Sequence, residues 1–596
     1  MTAIQANSMA KKGPEYGSDL IVDLLKAFQI DYAALNPGAS FRGLHDSLVN
    51  YGGNKMPEII LCCHEEIAVT MAFGYARVTG RPMAAIVHDI VGLQHATMAI
   101  FNAWTSRTPI LVLGGTGPMD TTERRSGVDW VHTALVQGQQ VRDYVKWDDQ
   151  PASIRSFPES FIRAYRIATT EPTGPVYLCY DANLQENPIK EEIPFPDLSR
   201  YPAPVPLQAS EEGFAKTIRW LLEAKWSVII ADWVGRTGEG FHALIELAEL
   251  LSIPVLDRGG RFNFPSLHPL NLTGMEKAVL SEADLVLGLD VADLFGAISE
   301  RREEGANRIS VSILPSGAKI IHVDLRNLVT QSWVQDYGKL PELDLSIHAE
   351  TRVFLPELVR RLKEERRALD RLKPEMDQRR EKLQRLRLDL EARIKERAQT
   401  KWEEKPISSL RLASELADVL KEEDYVLSHG SPTLSERHFL NLTRFNQFIG
   451  RRWHGGVGVG LPSSLGVALA LKNSGKICVG IQPDGDFLYG PSALWTFAHH
   501  EIPLLMIVFN NRSYYNDEEH QRVVALHRRR PVENRVIGIR LENPNVNFAR
   551  LADAYEVKGI GPVTEPGELK GALQSAVRAI KDTGRAVLVD AVMQNR

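Results

Sequence analysis

The chain is short of cysteine, of long apolar runs and of any surplus of one charge, and each shortage removes a class of protein. Four cysteines in 596 residues, Cys62, Cys63, Cys179 and Cys478, lie in apolar stretches without the repeated short spacings of a zinc site. They read as buried thiols in a reducing compartment, so neither disulfides nor structural zinc are expected. No segment is apolar and long enough to cross a bilayer, and the opening "MTAIQANSMAKKGPEYG" lacks the apolar core of a signal peptide. A cytoplasmic protein with no membrane partner is the expectation. Lys and Arg number 70 against 75 Asp and Glu, a formal net charge of −5. That leaves no basic excess for nucleic acid and points to small-molecule partners. Hydrophobic content is 44%, enough for sizeable cores, and the length implies about three or four domains.

Short apolar runs alternate with helical patterns over 14–185, with strands expected at "YAALNPG", "EIILCC", "MAAIVHD", "PILVLGG" and "GPVYLCYD". This alternation implies a parallel sheet between helices. A proline-rich stretch, "QENPIKEEIPFPDLSRYPAPVPLQAS", reads as a linker. A second α/β pattern fills 208–347, with strands at "SVIIAD", "IPVLD", "DLVLGLD" and "AKIIHVD". Residues 348–405 carry leucines at helical spacing among dense charges of both signs. They should form exposed helices bent or interrupted at Pro374, and packing on their own subunit is favoured over a coiled-coil partner surface. A third α/β pattern occupies 406–596. The fold class is α/β: three doubly wound parallel-sheet domains with a helical insert before the last.

Chemistry concentrates in "PDGDFLYGPSALWTFAHHEIPLLMIVFNN", residues 483–511. The apolar runs on either side of its helical "GPSALWTFAHH" make a βαβ unit, whose parallel strands end on the same sheet edge. Asp484 and Asn511 then emerge side by side, and a carboxylate with an amide oxygen and a backbone carbonyl suits Mg²⁺. Asp-Gly and Asn-Asn are also ordinary turn formers, so the segment by itself leaves a plain strand-end turn open.

Two further stretches decide between these readings. "LCCHEEIAVTMAFGYARVTGRP" puts Glu65 between a strand and a helix, and "WHGGVGVGLPSSLGVALA" puts a glycine-rich turn before another helix. With "DGDF" and "FNN", this ordered set resembles the thiamine diphosphate enzymes of the acetolactate synthase, benzoylformate decarboxylase and pyruvate oxidase superfamily, over nearly the whole chain. The resemblance implies pyrimidine-binding, middle and diphosphate-binding domains in that order. It implies Asp484, Asn511 and the Ser513 carbonyl as Mg²⁺ ligands. Gly485 and its loop should approach the diphosphate, aided by the dipole of the following helix, with hydroxyl donors from Ser431 and Thr433. Glu65 matches the glutamate that bonds the aminopyrimidine, making its exocyclic nitrogen a base against the thiazolium. Val457 matches the apolar wedge under a bent cofactor, with core packing as its other reading, and the Gly455 carbonyl matches the amino-group acceptor. Active sites shared between subunits are implied too, in a homodimer or homotetramer.

The pattern is broken at Pro483, where glycine is usual, and at Asp486, where a small polar residue is common. Neither change removes a metal ligand. Proline lacks an N–H, and the extra carboxylate is expected to repel phosphate or to bind water at the metal. On the substrate side, His88 resembles the active-site histidine of benzoylformate decarboxylase. His88, Gln94 and His95 are the catalytic candidates beside Glu65, since imidazole titrates near neutrality, while a histidine that only satisfies buried backbone groups is the other reading. Asn36, Ala39, Ser40, His132, Gln137 and His429 are lesser polar candidates, and "RSYYNDEEHQ" is expected to border the substrate. The middle domain holds FAD in some relatives and an adenine nucleotide in CoA-linked ones, and no fingerprint here selects either. The expected function is a lyase or transferase acting beside a carbonyl, either a 2-oxo acid decarboxylase or an acetolactate synthase-like carboligase. A 2-hydroxyacyl-CoA lyase and a non-catalytic cofactor-binding paralogue are the alternatives, so the substrate is a 2-oxo acid, a 2-hydroxy ketone or an acyl-CoA.

Overall fold

The computed structural model describes residues 13–304, 307–328, 339–450 and 455–595. Most of the opening stretch read above, parts of the second α/β pattern, and Trp453 and His454 of the glycine-rich turn lie outside the described residues.

Strands that are apolar on both faces must be covered on both, which short crossover helices achieve by holding neighbouring strands parallel. The first sheet is built this way from β1 (Tyr32–Leu35), β2 (Glu58–Leu61), β3 (Ala84–Val87), β4 (Leu111–Thr116), β5 (Trp147–Asp149) and β6 (Val176–Asp181). Its order is β2-β1-β3-β4-β6-β5, parallel throughout, and β3, β4 and β6 are buried along their whole lengths. Next come β7 (Ser227–Ala231), β8 (Val255–Asp257) and β9 (Leu285–Leu289), then an antiparallel hairpin of β10 (Ser299–Glu304) and β11 (Asn307–Ser312), then β12 (Lys319–Val323) and β13 (Leu345–Ile347). The second sheet runs β13-β12-β9-β7-β8 and is parallel. The third, from β14 (Tyr425–His429), β15 (Ile477–Pro483), β16 (Leu505–Asn510), β17 (Lys558–Val563) and β18 (Val587–Val592), runs β14-β15-β16-β18-β17, again parallel. The expected class, three parallel-sheet α/β layers with a helical insert before the last, is the observed one.

The chain divides into two compact units, one ending at Pro204 and the other carrying the second and third sheets from Val205 onward, with the short 77–80 stretch grouped with the latter. Within the second unit the two sheets share packing, since Phe241 and Phe262 from the second pattern join Leu412, Leu427 and Phe448 in the third sheet's core.

Two expectations need correction. The helical segment is broken at Glu365, between Thr351–Glu364 and Arg366–Thr400, and Pro374 lies inside the 35-residue second helix. A proline forfeits one N–H bond of the helix. Burial holds this helix through it, because Leu383 enters the second sheet's core and Leu369, Met376 and Leu386 pack against it. The same contacts put the segment on its own chain. The thiols also differ from expectation: Cys62, Cys179 and Cys478 are buried, but Cys63 is exposed, because it leaves the strand just past the end of β2.

Candidate active site

The third sheet supplies a cluster of oxygens at its carboxyl edge. Pro483 pairs with Phe509 at the last rung of β15 and β16, so the chains leaving both strands emerge together. Pro483 sits there at φ −61°, the value its ring enforces, and the strand ends without strain. Asp484 follows at 1% exposure. Its Oδ1 accepts the Gly485 N–H at 2.8 Å, while Oδ2 is buried with no hydrogen-bond partner. Burial pushes this carboxyl up to about 7, although N–H groups of Gly485, Arg512 and Ser513 pull the other way. Asn511 Oδ1 accepts the Ser513 N–H at 3.2 Å. Between them Arg512 takes a left-handed φ of +56°, a conformation most side chains avoid, and it turns the backbone at this point. The Ser513 hydroxyl donates to fully buried Glu518 at 2.6 Å, and Glu518 also accepts from Arg540 Nε at 3.2 Å. Sequence reading named Glu518 only as part of a polar wall; here it braces the loop.

Asp486 does not face this cluster as a free carboxylate. One oxygen accepts the Gly458 N–H and the other accepts Gln482 Nε2 at 2.7 Å, tying the glycine-rich turn to the Asp484 loop. Gly458 has φ +92°, and a Cβ there would stand 2.9 Å from that of Tyr489. On that turn Gly455 is exposed and Val457 is 44% exposed, so Val457 is not a core residue of this chain. Ser431 is buried, with its hydroxyl donated to Glu436 at 2.6 Å, and Thr433 shares a hydrogen with Ser435 at 2.8 Å. His429 is buried with Nδ1 on the Ile481 carbonyl at 3.0 Å.

The first sheet gathers ionisable groups at its own carboxyl edge, where Leu35 pairs with both Leu61 and Ile86. Asn36, Glu65 and His88 follow these strands. Glu65 opens the helix Glu65–Thr79 at 4% exposure and meets His95 Nδ1 at 3.1 Å. Burial raises its carboxyl, but hydrogen bonds from Asn36, its own backbone N–H and His95 outweigh that and hold it below the usual range. His64 stacks on His95, with centroids 4.8 Å apart. His88 Nδ1 lies 2.9 Å from Ser40 Oγ and 3.2 Å from Asp89 Oδ1, and His132 Nδ1 lies 3.8 Å from the same oxygen. Burial, then the neighbouring His132, keeps His88 below its ordinary value. Gln137 is tied to the Gly115 carbonyl and the Tyr177 hydroxyl. Gln94 and Ala39 are exposed. Glu65, His88 and His95 are thus brought together, and Gln94 takes no part in their contacts. His64 and Asp89 escaped the sequence reading, although "IVHD" ends a buried strand on two ionisable residues in a row.

Family models match at both ends of the chain: the thiamine pyrophosphate enzyme N-terminal TPP binding domain over residues 16–141 and the corresponding C-terminal TPP binding domain over residues 429–591. The chain belongs to the thiamine diphosphate enzyme superfamily. Thiamine pyrophosphate is the same cofactor under its older name. Among full-length relatives, a probable acetolactate synthase large subunit of Methanocaldococcus jannaschii is 26% identical over 94% of this chain and 90% of its own. The benzoylformate decarboxylase of Pseudomonas aeruginosa is 25% identical over 93% and 96%. The solved benzoylformate decarboxylase of Polynucleobacter necessarius shares the fold with a TM-score of 0.75 at 19% identity, covering 98% of this chain and 99% of that one. The chain is therefore a thiamine diphosphate-dependent enzyme of acetolactate synthase or benzoylformate decarboxylase type.

The residues present fit the superfamily's cofactor. Asp484 Oδ2 is a buried carboxylate oxygen without a partner, no described donor reaches the Ser513 carbonyl, and Asn511 adds an amide oxygen. This all-oxygen set is one that Mg²⁺ prefers. In the second sheet, His322, Asp324, Arg326, Lys339 and His348 line a cavity in the domain for which the sequence selected neither FAD nor an adenine nucleotide, and residues 329–338 lie outside the described residues. No helix among the described residues is long and apolar enough to cross a membrane.

Proposed function

We propose that this chain is a Mg²⁺-dependent carboligase or decarboxylase that makes or breaks a carbon–carbon bond beside the carbonyl of a 2-oxo acid. The observation that carries the reading is the buried Asp484 Oδ2, without a hydrogen-bond partner, on a carboxyl beside the Arg512 and Ser513 backbone. A carboxyl so placed is costly unless a cation meets it. When bound, the cofactor's thiazolium supplies an electron sink for the bond being broken.

The chain's own residues then divide the work. Asp484, Asn511 and the Ser513 carbonyl hold the cation, and backbone N–H groups along Gly485 and the glycine-rich turn approach the diphosphate. Gly455 accepts an amino-group hydrogen bond, and exposed Val457 gives the cofactor an apolar surface to bend over. Glu65, kept ionised by Asn36 and His95, moves a proton at a ring nitrogen. His88 and His95 exchange protons with substrate oxygen. Two copies of the chain build each centre, Glu65 from one and Asp484 from the other, in a homodimer or a larger assembly. The chain segments accordingly into 14–185, 208–347, 348–405 and 406–596.

The test is a screen of 2-oxo acids and 2-hydroxyacyl-CoAs with product detection, run on the wild type and Glu65→Gln. Product from a 2-oxo acid that needs thiamine diphosphate, Mg²⁺ and Glu65 is the expected result. Turnover confined to acyl-CoA substrates would favour a lyase, and none with any substrate would favour a non-catalytic paralogue.

A further inference from the structure

His88 has a difficulty as an acid. Burial and the neighbouring His132 hold it below its ordinary value, so near neutral pH it is uncharged and has no extra proton to give. Directly beside it stands a carboxyl with the opposite bias. Asp89 is 1% exposed, and its Oδ1 is buried without a hydrogen-bond partner although it lies 3.2 Å from His88 Nδ1 and 3.8 Å from His132 Nδ1. His132 Nδ1 is itself buried without a hydrogen-bond partner. Buried polar atoms left unsatisfied in this way need an explanation.

We propose that the Asp89 carboxyl stores the proton that His88 delivers to substrate, with His132 on the carboxyl's other flank. The proposal rests on the carbon–carbon bond reading above. Asp89 is too buried to touch substrate, so it is a positioning and proton-storing residue acting through the His88 ring. That ring is next to the proposed centre: a Cβ added at Gly92 would stand 2.9 Å from Glu65 Oε1 and 2.9 Å from His88 Cβ, so the two side chains flank one glycine.

His88 Nδ1 lies 2.9 Å from the Ser40 hydroxyl and 3.2 Å from Asp89 Oδ1, and its single lone pair accepts from one O–H at a time, from Ser40 at rest and from protonated Asp89 during transfer, which leaves the ring's hydrogen on Nε2. As the Nε2–H bond breaks and the proton passes to a substrate oxygen, the Asp89 O–H bond breaks and that proton passes to Nδ1. One proton leaves the carboxyl and one reaches substrate, the imidazole ends neutral, and the carboxylate carries the negative charge that the substrate oxygen gave up. His132 Nδ1 stands 3.8 Å away on the carboxylate's other flank. Ser40 Oγ also accepts the Asp89 backbone N–H at 3.0 Å, so one hydroxyl aligns both residues.

The surroundings agree. Burial, then the nearby Asp129 carboxylate, pushes Asp89 up to about 7 against the opposing pull of Arg125. From β6, buried Tyr177 and Cys179 feel the Asp89 charge and are themselves raised, chiefly by burial. Glu65 acts on the His88 ring in the sense that favours its charged form. No cation seals Asp89 as a permanent anion among the described residues.

The test compares the wild type with Asp89→Asn, which keeps the shape and removes the storable proton. At neutral pH kcat should fall about 10- to 100-fold with KM unchanged, and the loss of activity as pH rises through about 7 should vanish from the profile. Aspartate ¹³C-carboxyl NMR on the wild type without cofactor should show two carboxyls titrating near 7, those of Asp484 and Asp89, the second assigned by its absence from Asp89→Asn. If that variant does not fold, the same titration on Asp484→Ala, which removes the other signal near 7, decides alone. An Asp89 carboxyl that titrates below about 5, a variant with wild-type kcat and pH limb, or a stoichiometric transition metal held at His88, Asp89 and His132 would each overturn the proposal. Absence of any cofactor-dependent turnover in the wild type would overturn the functional reading instead, and the carboxyl titration would still judge this one.

Discussion

Glu65 and Asp484 are both almost fully buried carboxyls at the carboxyl edge of a parallel sheet, at 4% and 1% exposure, yet their surroundings hold them in opposite states. Asn36, a backbone N–H and His95 hold Glu65 ionised against burial. Asp484 has backbone donors but no cationic side chain against it among the described residues, its second oxygen is unanswered, and burial takes it up to about 7. On the proposed function, the difference separates a proton-handling carboxylate from a ligand carboxylate that needs a charge from outside. Neighbours decide which is which, since the two side chains differ by one methylene.

Removing the outside charge's anchor should have the largest effect. Asp484→Ala is expected to weaken Mg²⁺-dependent cofactor binding by about 100-fold or more while leaving the fold intact, read by titration of the cofactor's circular dichroism signal. Unchanged affinity would erase the contrast. Glu65→Gln should do the reverse, lowering kcat by about 100-fold or more with cofactor affinity little altered. Mixing the two inactive variants sharpens the comparison further. Turnover should return if the two carboxyls that serve one centre come from different copies of the chain, and should stay absent if they come from one.

A third buried carboxyl, Asp89, tests the cost of leaving such a group without a cation. Its folded value, about 7, is above the ordinary aspartate value of 3.8. The native state then binds more protons than the unfolded state between these values, so stability falls as pH rises through that window and levels off above it. Urea unfolding of the cofactor-free wild type should lose about 1–3 kcal/mol more over this range than Asp89→Asn does. Equal slopes would show that the carboxyl is not held protonated. The smallest effect is expected at Gly458→Ala, which must accept φ +92° and approach Tyr489. It should cost about 1 kcal/mol and loosen the cofactor on the Asp484 side only, leaving Glu65-dependent proton chemistry intact. A matching loss at both would mean that the turn is not specific to the diphosphate end.

Much of the fold was legible because buried parallel strands are unbroken apolar runs. All nine strands expected in the first two sheets are present, from "YAALNPG" to "AKIIHVD". The short strands Trp147–Asp149 and Leu345–Ile347 escaped notice. Neither is fully buried, so their residues are not uniformly apolar. The proline rule failed at Pro374, where packing of Leu383 outweighed one lost hydrogen bond. Asp486 read as a carboxylate that repels phosphate or binds water at the metal, and the fold uses it as a brace between Gly458 and Gln482.

By itself, the sequence determined the α/β class, the order of the sheets' segments and the exit of Asp484 and Asn511 on one edge, because periodicity and strand polarity are local properties. Tertiary structure alone decided the charge states. Whether a carboxyl is an anion, a proton store or an unanswered ligand depends on burial and on partners distant in sequence. Asn36 and His95 stand 29 and 30 positions from Glu65, and His132 stands 43 from Asp89. Desolvation and a few hydrogen bonds over about 3 Å are worth several pKa units, and no linear pattern records which residues supply them.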